Sequence, residues 1–271
     1  MVVHWWGVAS HVTRHYDWGM GVRGVLLDLD GTLYVGGEPV PGARDAVERL
    51  KASGIVLRYV TNTTRKPRRW VREHLLALGF RVEEHENFTP VRAASGKIGG
   101  RSCFALVHES VLEDLAGVTI TGDHPDCVLV GDLGEDFTYR RLDAAFQCLM
   151  EGAELLALQK NRYWRTESGL SLDAGPFVAA LEYASEKQAV VVGKPEESFF
   201  RIALEDLGLA ANEVAMVGDD AEVDVAGAKK AGLSGILVRT GKWRPDAEAA
   251  GADLVLDSMA DLPGALEEGD G

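Results

Sequence analysis

The stretch Val25-Leu26-Leu27-Asp28-Leu29-Asp30-Gly31-Thr32 constrains this chain more than any other. It opens as an apolar run, which reads as a buried strand. It closes with two carboxylates one residue apart, then a glycine and a hydroxyl. Side chains alternate along a strand, so Asp28 and Asp30 project to the same side. Like charges held that close cannot both ionise cheaply. A divalent cation offsets their repulsion, because hard cations take carboxylate oxygens. The same residues also describe a strand entering an Asp-Gly turn. The choice therefore depends on what the rest of the chain sets beside them.

From Val22 onward strands and helices alternate. Strand Val25–Leu29 leads through a turn at Gly36-Gly37 to a helix near Pro41–Ser53, where Ala43, Ala46, Val47 and Leu50 form an apolar stripe at helical spacing. Gly54 stops that helix. Strand Ile55–Val60 and a helix near Pro67–Leu78 follow. This order predicts a parallel sheet covered by helices on both faces, an α/β fold with a Rossmann-like core. Between residues 82 and 173 the character changes, and strands at Cys103–Val107, Cys127–Val130 and Leu155–Leu158 with a helix at Tyr139–Met150 predict an inserted α/β domain. The core pattern then resumes with a helix at Pro176–Ser185, a strand at Ala189–Val192, a helix at Glu196–Leu207 and strands at Val214–Val217, Gly235–Val238 and Leu254–Leu256. The expected division is a core of 20–81 plus 174–271, an insert of 82–173 and an N-terminal extension of 1–19. That extension carries His11 and His15 four apart, but no third ligand completes a metal pattern. Met20 is an alternative start.

With 271 residues the chain has room for a full core, and its net charge of −14 disfavours binding to nucleic acid or to an anionic membrane. A small anionic substrate stays compatible, because a metal and local cations dominate a single pocket. The three cysteines, Cys103, Cys127 and Cys148, show no metal or disulfide spacing, which fits a reducing, cytoplasmic setting. No apolar run is long enough to span a bilayer.

In open parallel sheets, ligands bind outside the carboxyl ends of the strands. Four polar clusters fall at expected strand ends: Asp28 with Asp30, Thr61 with Asn62, Gly193-Lys194-Pro195, and Gly218-Asp219-Asp220 with Asp224. Each has a local use of its own. Thr61 can cap a helix, Lys194 can face solvent, and Asp219 and Asp220 can cap the helix that follows them. Four such coincidences at four strand ends point instead to one shared site.

In order, type and context these clusters resemble the four motifs of the haloacid dehalogenase superfamily of phosphotransferases. The resemblance runs from about Val22 to about Leu262 and implies a Mg2+-dependent phosphatase. Asp28 would attack phosphorus and form an aspartyl-phosphate. Asp30 would protonate the leaving group and then deprotonate water. Asp28, the Asp30 carbonyl and Asp219 would hold Mg2+. Thr61, Asn62 and Lys194 would hold phosphoryl oxygens. Asp220 and Asp224 would order metal-bound water. A halide needs no proton on leaving, so Asp30 favours phosphoryl chemistry over dehalogenation.

Only 28 residues separate Thr32 from Thr61, too few for a domain. The insert after Thr61 resembles the class with an α/β cap following the second motif. Its substrate-contact candidates are Gln159, Lys160, Asn161 and Arg162, the two cations being placed to meet a second anionic group. The bland alternative packs Tyr163 and Trp164 into the cap core and leaves both cations solvated. Caps of this class often mediate dimers, so a homodimer through the cap is among the expectations. Some members of that class which this chain resembles carry serine at this position, and the Asp30 present here favours an acid-assisted monoesterase acting on a small phosphorylated metabolite. Phosphohistidine, phospholysine or pyrophosphate hydrolysis is the alternative. A non-catalytic phosphometabolite-binding protein is a second, and a mutase is disfavoured by the absence of an early cap.

Overall fold

The computed structural model describes residues 21–166, 169–245 and 251–268. The N-terminal extension with His11 and His15, the alternative start Met20 and the last three residues lie outside them. Two parallel sheets organise the chain. The first has six strands in the spatial order Leu254–Leu256, Ser234–Val238, Val214–Gly218, Gly24–Asp28, Val56–Val60 and Asn87–Phe88. All its pairings are parallel. Val25, Leu26 and Leu27 of the central strand are fully buried, as a strand covered on both faces requires. Leu26 packs toward Phe199, Phe200 and Val91, whereas Val25 and Leu27 pack toward Ala46, Val47 and Leu50. The expected stripe of the first helix is therefore one wall of the core, in a helix spanning Ala43–Ala52.

Register explains why separated segments meet. Leu27 pairs with Tyr59 on one side and Val217 on the other. The next residues, Asp28, Val60 and Gly218, end their strands level with one another. Whatever follows those strands emerges at one edge of the sheet.

The second sheet has five strands in the order Val190–Val191, Glu154–Ala157, Cys127–Val130, Ser102–Leu106 and Thr119–Ile120. Here the structure corrects the expected boundaries. Helix Gly175–Ser185 places Val178 and Leu181 against Ala145 and Leu149 of helix Tyr139–Met150, and Val190–Val191 pairs with Leu156 and Ala157. Residues 175–191 thus belong to the second sheet rather than the first. At the other end, Phe88 pairs with Val60, so the first sheet extends past residue 82. Strand and helix patterns show that an element has a buried face but not which sheet buries it. The two sheets are also joined, because one apolar cluster runs from Leu26, Val60 and Phe199 to Cys103, Leu129 and Leu156.

Two hairpins lie outside this plan. Tyr34–Val35 pairs with Glu38–Pro39 around Gly36 and Gly37, whose φ values of 59° and 87° suit a tight two-residue turn. Tyr163–Thr166 pairs with Gly169–Leu172. Tyr163, Leu170 and Leu172 are exposed there, so Tyr163 does not pack the core of the insert. Among the described residues, no helix is long and apolar enough to cross a membrane.

Candidate active site

The edge where the central strands end holds a buried ion cluster. Lys194 is 4% exposed, and its Nζ lies 2.6 Å from Asp28 Oδ1 and 2.6 Å from Asp224 Oδ1. Lys194 does not follow a strand of the six-stranded sheet, as the sequence suggested. It lies in the segment returning from the edge strand Val190–Val191 of the other sheet. Asn62 pulls that segment into place. Its Nδ2 donates to the Lys194 carbonyl at 2.8 Å, and its Oδ1 accepts from the Lys194 N–H at 2.9 Å. The Asn62 amide therefore acts as a backbone surrogate that joins two loops. Thr61 Oγ1 accepts from the Thr63 N–H at 3.3 Å, closing a small turn beside it.

Asp219 anchors the opposite side of the cleft. Its Oδ2 accepts from the Lys242 N–H at 2.6 Å, while its buried Oδ1 has no hydrogen-bond partner. Gly31 and Gly241 press their backbones against this carboxylate with φ of +96° and +59°, and a Cβ on either would collide with Asp219. Thr240 Oγ1 donates to the Gly31 carbonyl and ties the same loops together. Thr240, Gly241 and Lys242 escaped the sequence reading as site residues. The signal that could have found them is position, since they follow the Ser234–Val238 strand at the same sheet edge.

Asp220 and Asp224, expected to order metal-bound water, are held in different ways. Asp220 Oδ1 accepts from the N–H groups of Glu222 and Val223, at 3.1 and 3.0 Å, and so caps the turn of π-helix over Ala221–Ala226. Asp224 is 1% exposed and is held by Lys194, with its Oδ2 accepting from the Asp220 N–H at 3.3 Å. It acts as the second counterion of Lys194.

The electrostatics follow from burial. Desolvation pushes the carboxyl groups of Asp28, Asp219 and Asp224 above their usual range, that of Asp224 to about 7, with Lys194 opposing the rise at Asp28 and Asp224. Burial alone would lower Lys194, but Asp224 and Asp28 hold it well above its ordinary value. Carboxylate oxygens of Asp28, Asp219 and Asp224 lie within 4.8 Å of one another. One ammonium does not neutralise three crowded carboxylates. Together with the unpartnered Asp219 Oδ1, this donor set fits a hard divalent cation.

The cleft above these groups is lined by Asp28, Asp30, Thr61, Asn62, Lys194, Asp220, Asp224 and Lys242, with Asn161 contributed from the second sheet's side. Of the other insert residues, Gln159 is buried and donates to Asp173, so it supports its own loop. Both oxygens of Glu182 accept from the Lys160 ammonium, at 2.8 and 3.0 Å. Gln159 and Lys160 are thus engaged by partners within the insert, and neither is among the residues lining the cleft. Arg162 is exposed at the start of the hairpin.

Comparison with known proteins agrees with this geometry. A haloacid dehalogenase-like hydrolase model matches residues 25–121 and a HAD-hydrolase-like model matches residues 191–262. The chain is 45% identical over 225 residues to haloacid dehalogenase-like hydrolase domain-containing protein 2 of Rattus norvegicus, covering 82% of this chain and 86% of that protein. It is 41% identical over 258 residues to phospholysine phosphohistidine inorganic pyrophosphate phosphatase of Homo sapiens, covering 90% and 95%. A solved p-nitrophenyl phosphatase from Archaeoglobus fulgidus superposes with a TM-score of 0.81 at 28% identity, covering 90% of this chain and 99% of the other.

Two outcomes follow from the geometry. Asn62→Ala removes both bonds that hold the Lys194 backbone and lowers unfolding free energy by about 2 kcal/mol, at about 1 kcal/mol per bond, in urea titrations. A divalent cation bound by this cluster, tested with Mg2+ at a hundredfold excess over its Kd, would raise the unfolding free energy of the native chain by about 2.7 kcal/mol. In Asp219→Asn the same titration shows little or no stabilisation, and excess chelator returns the native chain to its metal-free value.

Proposed function

This chain belongs to the haloacid dehalogenase-like hydrolases and is a phosphatase, and from that premise we propose that it hydrolyses a small phosphomonoester through an aspartyl-phosphate formed on Asp28. The observation that carries the reading is the placement of Asp28, Asp30 and Thr61 in one cleft, with the Lys194 ammonium 2.6 Å from the Asp28 carboxylate.

In the first step an Asp28 oxygen attacks phosphorus as the bond from phosphorus to the leaving oxygen breaks. The Asp30 carboxyl acts as general acid and gives a proton to that oxygen. In the second step water attacks the phosphorus, Asp30 takes the water's proton, and the bond to Asp28 breaks to release inorganic phosphate. Lys194, kept charged by its two carboxylates, attracts a phosphoryl oxygen without reorganising. The Thr61 hydroxyl and the N–H groups of the 61–63 turn receive the remaining oxygens. Asp28, Asp219 and the main-chain carbonyl of Asp30 would hold Mg2+, which would supply the positive charge that lets an anionic phosphoryl group approach a carboxylate. The unit built on the second sheet serves as a cap, with Asn161 at the mouth of the cleft, and excludes water when it closes. The three free, buried cysteines support a reducing, cytoplasmic setting.

The similarity to a phosphatase named for phospholysine, phosphohistidine and pyrophosphate favours a second reading of the substrate. Asp30 favours a leaving group that needs a proton, an alkoxide or an amine, over the phosphate that leaves from pyrophosphate.

The test is steady-state turnover of p-nitrophenyl phosphate and an alkyl phosphate with Mg2+, beside pyrophosphate and phosphohistidine. Asp28→Asn abolishes turnover of every substrate, and wild-type rates in that variant would refute the covalent route. Asp30→Asn lowers kcat on the alkyl phosphate by about 10²–10⁴-fold. Its effect on release of nitrophenolate, a good leaving group, is smaller.

A further inference from the structure

We propose that Lys242 is a specificity residue of this cleft, receiving a second anionic group on the substrate, so that the preferred ligands are phosphate esters that also carry a carboxylate or another phosphate. The proposal rests on the phosphatase reading above for the seat of the first phosphoryl group. Its own basis is a charge count. Carboxylates of Asp28, Asp30, Asp220 and Asp224 line the cleft, with ammonium groups of Lys194 and Lys242. Lys194 has a carboxylate oxygen at 2.6 Å on each of two sides, and the catalytic reading gives what remains of its charge to the first phosphoryl group. Lys242 differs. Its side chain is 67% exposed, and the carboxylate oxygen recorded beside its Nζ, Asp220 Oδ2, lies 3.8 Å away. Among the described cleft-lining residues, Lys242 is the cation without a short ion pair.

Its mounting also suits recognition. The Lys242 N–H is bound to Asp219 Oδ2 at 2.6 Å, and Gly241 is wedged between Asp219 and Gly31. The backbone is therefore tied to a carboxylate at the base of the site, while the ammonium rides on a flexible four-carbon stem. A phosphoryl group seated at Asp28 leaves the rest of the substrate to reach outward, and Lys242 is a cleft-lining cation held by only a long ion pair at 3.8 Å. The insert offers less. Glu182 engages Lys160 through both oxygens, and Arg162 is absent from the cleft-lining set that includes Asn161.

The test compares two inhibitors of p-nitrophenyl phosphate hydrolysis in the Mg2+-loaded enzyme. 3-Phosphoglycerate and sn-glycerol 3-phosphate share a three-carbon phosphate ester, and one has a carboxylate where the other has a hydroxymethyl group. The native protein binds 3-phosphoglycerate about threefold more tightly, within the reach of one solvent-exposed ion pair. Lys242→Gln brings the ratio of inhibition constants to about one, and Lys242→Arg retains the preference. A ratio within one protein cancels any general loss of affinity. A native ratio near one, a preference surviving in Lys242→Gln, or a collapse seen in Arg162→Gln instead would each overturn the assignment. If the protein does not hydrolyse the aryl ester, calorimetric titration of the Mg2+-loaded chain reads the same ratio, so failure of the catalytic reading and failure of the Lys242 assignment remain distinguishable.

Discussion

A lysine ammonium removed from water must be paired, and the structure is arranged around that requirement at Lys194. A buried cation costs several kcal/mol unless opposite charges surround it. Here Asp28 and Asp224 do so at equal distances of 2.6 Å. Asp28 ends the central strand and Asp224 lies in the helical turn after Val214–Gly218, whereas Lys194 arrives from the second sheet. The ion cluster therefore closes only when both sheets are in place. Asn62 makes the closure specific, because a side-chain amide that pairs with both main-chain groups of Lys194 admits one relative position of the two loops.

The same edge carries more negative charge than its own cations neutralise. Burial pushes three carboxyl groups upward together. Asp219 is fixed through one oxygen by the Lys242 N–H and keeps the other buried and unpartnered. Gly31 and Gly241 permit this arrangement, as only residues without a Cβ let two backbones close on one carboxylate at positive φ. The site thus stores an unmet demand for cations. A divalent ion at its base would answer that demand. A net charge of −14 for the whole chain says nothing against an anionic substrate once charge is resolved residue by residue.

Much of this was legible in the chain. Helical spacing of Ala43, Ala46, Val47 and Leu50 identified a helix and its buried face, and both are present. The apolar run before Asp28 indicated a strand buried on two sides, and its residues are fully enclosed. Other assignments needed the third dimension. Lys160 looked available for substrate because nothing in sequence joins it to Glu182, 22 residues away. Gln159 read as a substrate contact, and the structure buries it inside the insert on Asp173. Asp220 and Asp224 read as a pair, but one caps a turn and the other neutralises a lysine.

By itself the sequence determined the local elements and the chemistry available at their ends, because periodicity and turn residues act over a few positions. Only the tertiary structure decided which sheet each element joins, and hence that residues 175–191 leave the first sheet and that Lys194 enters the site from the second. It also decided which charges are consumed by neighbours and which stay free for a ligand. Partnership between side chains depends on distances of a few ångströms between segments far apart in the chain, and no local pattern encodes those distances.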